Sequence, residues 1–207
     1  HTEFRSYSMM LVEETTVPLS ALPVAQFKDH LRLGSGFSDD GIQDGLLIGH
    51  LRASMATIEA RTGKIMIERE FSWTLTVWRD AHRQPLPLSP VSAISAITVT
   101  DQTGVERVID ADQWYLEPDL QRPSLMPVGT FLPNIGQGAS VKIGMLAGFG
   151  PEWDDLPADL AQAVLMLAAH FYEYRFDIAQ SAPPLPVGVL ALIERYRTVR
   201  MFMGGRV

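Results

Sequence analysis

Ala147-Gly-Phe-Gly-Pro-Glu-Trp-Asp-Asp-Leu-Pro-Ala-Asp-Leu160 runs directly into the apolar segment 161–175. This stretch reads as a strand that ends in glycine, a short acidic loop, and a helix. Pro157 stands at a first helical position, where its missing N–H is one that helix ends leave unpaired anyway. Asp159 follows in the first turn, where a carboxylate meets the positive end of the helix dipole. Leu160, Val164, Leu167, Phe171 and Tyr174 then recur on one face, and Ala161, Ala168 and Ala169 allow close contact. The helix is expected to end near 176–177. Its buried face holds no catalytic set, so the segment is built to pack.

Upstream of it the periodicity is first helical and then strand-like. Ser20 and Pro23 introduce Val24, Phe27 and Leu31 as a short helix that stops at Gly34-Ser-Gly36. Ser38-Asp-Asp opens a second, longer helix to about Thr62, with Ile42, Leu46 or Leu47, Leu51, Met55 and Ile58 on one stripe and Gly63 as a left-handed cap. From Ile65 the period changes to two: Ile65, Ile67, Phe71, Trp73, Leu75 and Val77 alternate with polar residues. The run Gln84-Pro-Leu-Pro-Leu-Ser-Pro90 is expected to break the sheet, and 91–100 resumes it. Asp101-Gln-Thr-Gly104 is a turn with 105–109 as return strand; Trp114-Tyr-Leu, Leu125-Met126 and 139–145 complete about six strands. Downstream, Ser181-Ala-Pro-Pro-Leu-Pro186 leads into a last helix carrying Val189, Leu192, Ile193 and Tyr196.

The expected fold class is therefore α+β: a bundle of about four helices with a small antiparallel β module inserted between the second and third long helices. Residues 10–64 and 151–199 form the expected helical core and 65–150 the β insertion. Residues 200–207 form a flexible tail, and 1–9 read as a cloning remnant with no signal-peptide core.

Bulk properties restrict the chemistry. With 207 residues, 46% of them hydrophobic, one core folds without staples. The absence of cysteine removes disulfides, thiol catalysis and thiolate metal sites. A formal charge of −7 and a pI near 5.2 disfavour attraction to a nucleic-acid backbone. The longest nearly unbroken apolar run, 163–169, is far short of the ~20 residues a membrane span requires.

Candidate sites fail one by one. His30, His50, His82 and His170 lie on different elements, and none makes the paired spacing of a zinc hydrolase. His170 with Glu173 is half of a carboxylate-bridged metal site without its second half, and reads as structural. Gly34-Ser35-Gly36 lacks the nucleophile-elbow pattern, and Gly63-Lys64 is followed by isoleucine where a P-loop needs Ser or Thr. At Gly144-Met-Leu-Ala-Gly-Phe-Gly150 a phosphate would meet Glu152, Asp154 and Asp155. The reading is no enzyme, with no catalytic, cofactor-binding or metal residues and no cofactor.

Two features point instead to interfaces. Gly41, Gly45 and Gly49 recur every four residues on the second helix although each costs ~1 kcal/mol relative to alanine. Close approach of another backbone would compensate, from the same chain or from a neighbouring subunit. Arg195, Arg197, Arg200 and Arg206 concentrate basic charge at the C-terminus, either as a solvated helix face or as a contact for an acidic partner, and the apolar Met201-Phe-Met203 beside them either frays or docks on a partner. Trp73, Trp78, Trp114 and Trp153 leave one alternative from a different class: a carbohydrate- or cell-surface-binding module using the β insertion.

Taken together, Phe27-Lys-Asp-His-Leu-Arg32, Asp39-Asp40, Ile58-Glu-Ala-Arg-Thr-Gly63, Leu86-Pro-Leu-Ser-Pro-Val91, Ile97-Thr-Val-Thr-Asp101, Ala147-Gly-Phe-Gly150, Leu156-Pro-Ala-Asp-Leu160, Ala168-Ala-His-Phe-Tyr-Glu-Tyr-Arg175 and Leu185-Pro-Val-Gly-Val189 form an ordered set. The set resembles the head-to-tail connector (adaptor) proteins of tailed bacteriophages, and within them is most similar to the adaptor of phage-derived gene transfer agents. The resemblance spans about 22–200. It implies a structural protein of the virion or phage-like particle neck, assembled in the bacterial cytoplasm as a ring of twelve copies under the portal protein. The ring would extend the DNA channel without binding DNA specifically and dock a tail-proximal stopper or connector, with no membrane involved. The C-terminal segment after Val199 would order only on its partner.

Overall fold

Alternation in Phe71–Leu75, Ile97–Val99 and Val141–Ala147 sends every second side chain to one interior, as a half-buried pleat requires. A computed structural model describes residues 10–31, 42–174 and 185–197. Among them are four α-helices and eight strands in two antiparallel sheets, a mixed α and β fold. The chain divides into two compact units: Ile65–Asp155 with the chain up to Ala21, and Leu22–Lys64 with the chain from Leu156 onward.

In the strand unit, β1 (Met10–Glu13), β2 (Arg69–Leu75), β4 (Val91–Thr100), β5 (Glu106–Val108) and β8 (Ser140–Ala147) form a sheet in the order β1-β2-β8-β4-β5. A second sheet has the order β3-β7-β6, from β3 (Gln84–Pro85), β6 (Trp114–Glu117) and β7 (Ser124–Pro127). Central β8 aligns Ile143 with Trp73 on one side and Ile97 on the other. These residues, with Leu75, Leu125, Val141 and Met145, belong to one buried cluster, in which each large aliphatic side chain contributes about 1.5–3 kcal/mol.

The glycines after β8 have a specific task. Gly148 has φ 145°, and a Cβ there would lie 2.4 Å from the backbone of Glu68. The approach is used: Phe149 donates to the Met66 carbonyl at 2.9 Å, and Glu68 donates to that of Gly150 at 2.8 Å. The acidic loop then forms a 3-10 turn, Trp153–Asp155, in which Asp155 Oδ2 accepts from the Glu152 N–H. Trp153 is buried.

Three expectations for this unit need correction. Residues 10–64 do not open as helical core, because Met10–Glu13 pairs with β2. Arg69 reaches Glu13 at 3.0 Å, and Ser72 donates to Glu14, so polar ties fasten an edge strand whose short sequence carries little periodicity. The proline-rich run does not wholly interrupt pairing, since Gln84–Pro85 is a two-residue edge strand on β7, a position where a missing N–H is tolerated. Residues 151–155 group with the strands.

In the helical unit, α1 (Val24–His30), α2 (Ile42–Thr62), α3 (Ala158–Glu173) and α4 (Val187–Ile193) follow the anticipated order, and a 3-10 turn, Glu194–Tyr196, extends α4. Helix α2 buries Leu47, Leu51, Met55 and Ile58, so Leu47 takes the stripe position and Leu46 is exposed. Gly63 ends it with φ 69° and donates to the Glu59 carbonyl at 2.8 Å. Helix α3 buries Leu160, Ala163, Val164, Leu167 and Ala168, whereas Tyr174, expected on that face, is exposed. Pro157 stands just outside α3 with ψ 135°, one position earlier than anticipated. Gly34-Ser-Gly36, Ser38-Asp-Asp, and 176–177 lie outside the described residues.

Candidate functional site

Helix α2 has two faces of opposite character. Apolar residues from Leu47 to Ile58 point inward, while Gly45 and Gly49 are exposed, and a Cβ added at either would meet nothing within 4 Å. Neither glycine is therefore explained by packing against the described residues. The exposed face continues through Ala53, Ala56 and Ala60. At 100° per residue the five positions fall within about 80° of arc and span about 22 Å of helix. Sequence reasoning stopped at the glycines and missed the three alanines, although they extend the same spacing of three and four.

Backbone groups along this helix are satisfied locally. Ser54 Oγ donates to the His50 carbonyl at 2.7 Å, and Thr57 Oγ1 to that of Ala53 at 2.7 Å. The small-residue stripe is thus smooth, without a long side chain or reaching hydroxyl to hold a neighbouring backbone away.

The second candidate region is the C-terminus, of which Arg197 is described; Gly41, Arg200, Met201, Phe202 and Met203 lie outside the described residues. Arg197 Nη1 pairs with Glu194 Oε2 at 3.0 Å, and its own backbone is extended, with φ −67° and ψ 125°. Just before it lies a cluster that the sequence did not reveal. Asp159 Oδ1 accepts from the Leu160 N–H at 3.0 Å and from the Tyr196 hydroxyl at 2.7 Å, and Arg195 Nε reaches Asp159 Oδ2 at 2.8 Å. Arg195 also donates to the Tyr196 oxygen and lies over its ring, 4.7 Å from the centroid. Burial pushes the Tyr196 phenol above its ordinary pKa, and the hydrogen bond to Tyr196 raises that of Arg195. The partners are far apart in the chain, and no local pattern announces such a contact.

Among the described residues no group of three or more His, Asp or Glu could hold a metal ion, and no helix is long and apolar enough to cross a membrane. His170 packs its ring 4.6 Å from that of Tyr174, His50 is edge-on to Tyr172 at 6.1 Å, and exposed His82 meets the Thr130 carbonyl at 3.0 Å. These contacts gather no nucleophile, base and orienting group at one point.

No family model and no curated protein matches the chain. Solved structures do. A chain from the "Neck of empty GTA particle computed with C6 symmetry" is 50% identical, with a TM-score of 0.86, covering 96% of this chain and 100% of that one. The chain belongs to the neck proteins of gene transfer agent (GTA) particles. A second relative of this neck protein, in the "Virion of native gene transfer agent (GTA) particle", is 50% identical over 94% of this chain and 98% of that one, with a TM-score of 0.83. A third, from the "Neck of native GTA particle computed with C12 symmetry", is 46% identical, covering 96% and 100%, with a TM-score of 0.81.

For a neck protein of this kind the carbohydrate- or cell-surface-binding alternative finds no support. Trp73 and Trp153 are buried, while Trp78 and Trp114 pack against the strand-unit core, with the Trp78 Nε1–H donated to the Pro133 carbonyl at 2.8 Å. None of the four indoles is an exposed platform of the kind that sugar stacking uses.

Proposed function

We propose that this chain is the structural head–tail adaptor of a GTA-like particle and performs no reaction. Twelve copies stand as a ring in the particle neck between the portal protein and a tail-proximal stopper or connector, and DNA passes through the lumen without specific binding. The observation that carries this reading is near-complete coverage at about half identity of chains from GTA necks, two of them computed with cyclic symmetry. Both symmetries divide twelve. A net charge of −7 suits a channel wall that must release DNA.

Ring closure requires each copy to present two different surfaces, one to each neighbour. The open face of α2, with Gly45 and Gly49 continued by Ala53, Ala56 and Ala60, is the first; its favoured occupant is a backbone of the next copy. Gly41 would extend it. The segment carrying Arg200, Met201, Phe202 and Met203, beyond Arg197, docks on the portal. In evolutionary layout the strand unit is a module inserted into a helical bundle between α2 and α3, a reading supported by chain order, with β1 contributed from the other side.

The test is electron microscopy of particles from a strain lacking this protein. Filled or leaking heads without tails are expected; particles that mature with tails attached would overturn the proposal.

A further inference from the structure

Strand β6 is the outer strand of the sheet β3-β7-β6. Val128 donates to the Gln113 carbonyl at 3.0 Å, and Tyr115 and Glu117 stand opposite Met126 and Ser124. Antiparallel pairing alternates, so the N–H and C=O of Gln113, Tyr115 and Glu117 turn toward β7. Those of Trp114 and Leu116 turn to the open side, where none of the described residues bonds them. The five-stranded sheet also has open edges, but each carries a charged block of the kind that keeps edge strands from pairing: β1 holds Glu13, and β5 holds Arg107 at its centre. Trp114-Tyr-Leu116 has no charged residue, and its pairing with β7 runs without a bulge. Exposed Tyr115 and Val128 lie beside this edge.

We propose that the free edge of β6 receives an extended, basic segment of a different neck protein as a fourth strand. Main-chain bonds to Trp114 and Leu116 supply the pairing, and the Tyr115 ring supplies the apolar anchor. Charge selects the occupant. Residues 108–121 contain Asp110, Asp112, Glu117 and Asp119 and no lysine or arginine. Glu117 is engaged by Arg83 at 2.7 Å, whereas Asp110 and Asp112 are exposed just before the strand. Residues 65–155, with twelve acidic and six basic side chains, account for −6 of the chain's formal −7. The same edge of a second copy is therefore repelled, and a strand with Lys or Arg on alternate positions is attracted. That the partner is met in the neck rests on the adaptor reading above.

The test replaces exposed Tyr115 by the photoreactive p-benzoylphenylalanine, which keeps an aromatic ring at the edge, and irradiates purified particles. The expected adduct is to another protein, at a segment with two or more Lys or Arg within one strand length of about six residues. An adduct to a second copy of this chain, or none from particles that contain the variant, overturns the proposal and leaves the adaptor role standing. Amide exchange at Trp114 and Leu116 should slow about tenfold between the isolated protein and the particle, while Tyr115, already paired with Met126, changes little; equal rates in both states overturn the strand addition. Asp110→Lys with Asp112→Lys should leave circular dichroism unchanged and lower the yield of tailed particles about tenfold, and a normal yield overturns the basic character of the partner. Tailed particles from a strain without the chain would instead remove the adaptor role itself.

Discussion

Glycines in two regions of the molecule answer opposite questions. At the end of β8, Gly148 is demanded by the fold: a side chain would strike the Glu68 backbone, and φ is 145°. On α2, Gly45 and Gly49 face open space, and none of the described residues requires them. The first kind is explained by folding alone. The second opposes helix formation without a contact among the described residues to offset the cost, and the assembly role proposed for it is what substitutions can test.

Substitutions should separate the two classes. The largest effect is expected from Gly148→Ala, where positive φ and a backbone clash combine to cost more than about 3 kcal/mol in urea unfolding. A cost under about 1 kcal/mol would show that the crossing with Met66–Glu68 is dispensable. Next, Gly49→Leu should leave the thermal midpoint of the isolated protein nearly unchanged and reduce incorporation into particle necks at least tenfold. Normal incorporation would remove the α2 face from the ring. The milder Gly45→Ala and Gly49→Ala should each stabilise the isolated chain by about 0.5–1 kcal/mol, because the added methyl meets no neighbour and helix propensity improves. Destabilisation by either alanine would indicate an intrachain contact on that face.

The smallest effect concerns pH at β1. The Ser72 hydroxyl, and secondarily Lys142, hold the Glu14 carboxyl below its ordinary pKa. A depressed folded-state pKa gives stability that is present above the unfolded value and is lost as pH falls below about 4. Amide exchange in 10–13 should therefore quicken on acidification, relative to β8, and Glu14→Gln should flatten that response. An unchanged acid response in the variant would assign the loosening to other carboxylates.

Much of the fold was legible because its signals are local. The Gly63 cap, the α2 stripe from Leu47 to Ile58 and the alternation of β2 and β8 each follow from one period and one terminating residue. β1 was not legible: four residues joined to β2 by Arg69 and Glu13 depend on a partner more than fifty positions away. The two-residue β3 fails for a related reason, since Pro85 argues against a strand except at an edge, and edges are a property of the assembled sheet. Of the candidate interface, Gly45 and Gly49 were visible as a cost without a stated return, but the empty space beside them could be seen only in the folded chain. The cluster at Asp159 was not legible: only the helix-start role of its carboxylate was visible, and the bond from Tyr196, thirty-seven positions on, was not.

The chain visits its two units alternately, passing between them after Ala21, after Lys64 and after Asp155. During synthesis α2 therefore leaves the ribosome long before α3, the helix on which it packs within its unit, and the larger part of the strand unit, Ile65–Asp155, must be made in between. Short α1 is available from the start, but the main packing partner of the α2 stripe comes only when the last quarter of the protein emerges. On the role proposed for the α2 face, a nascent or truncated polypeptide would lack the packed helix with which to meet copies of itself.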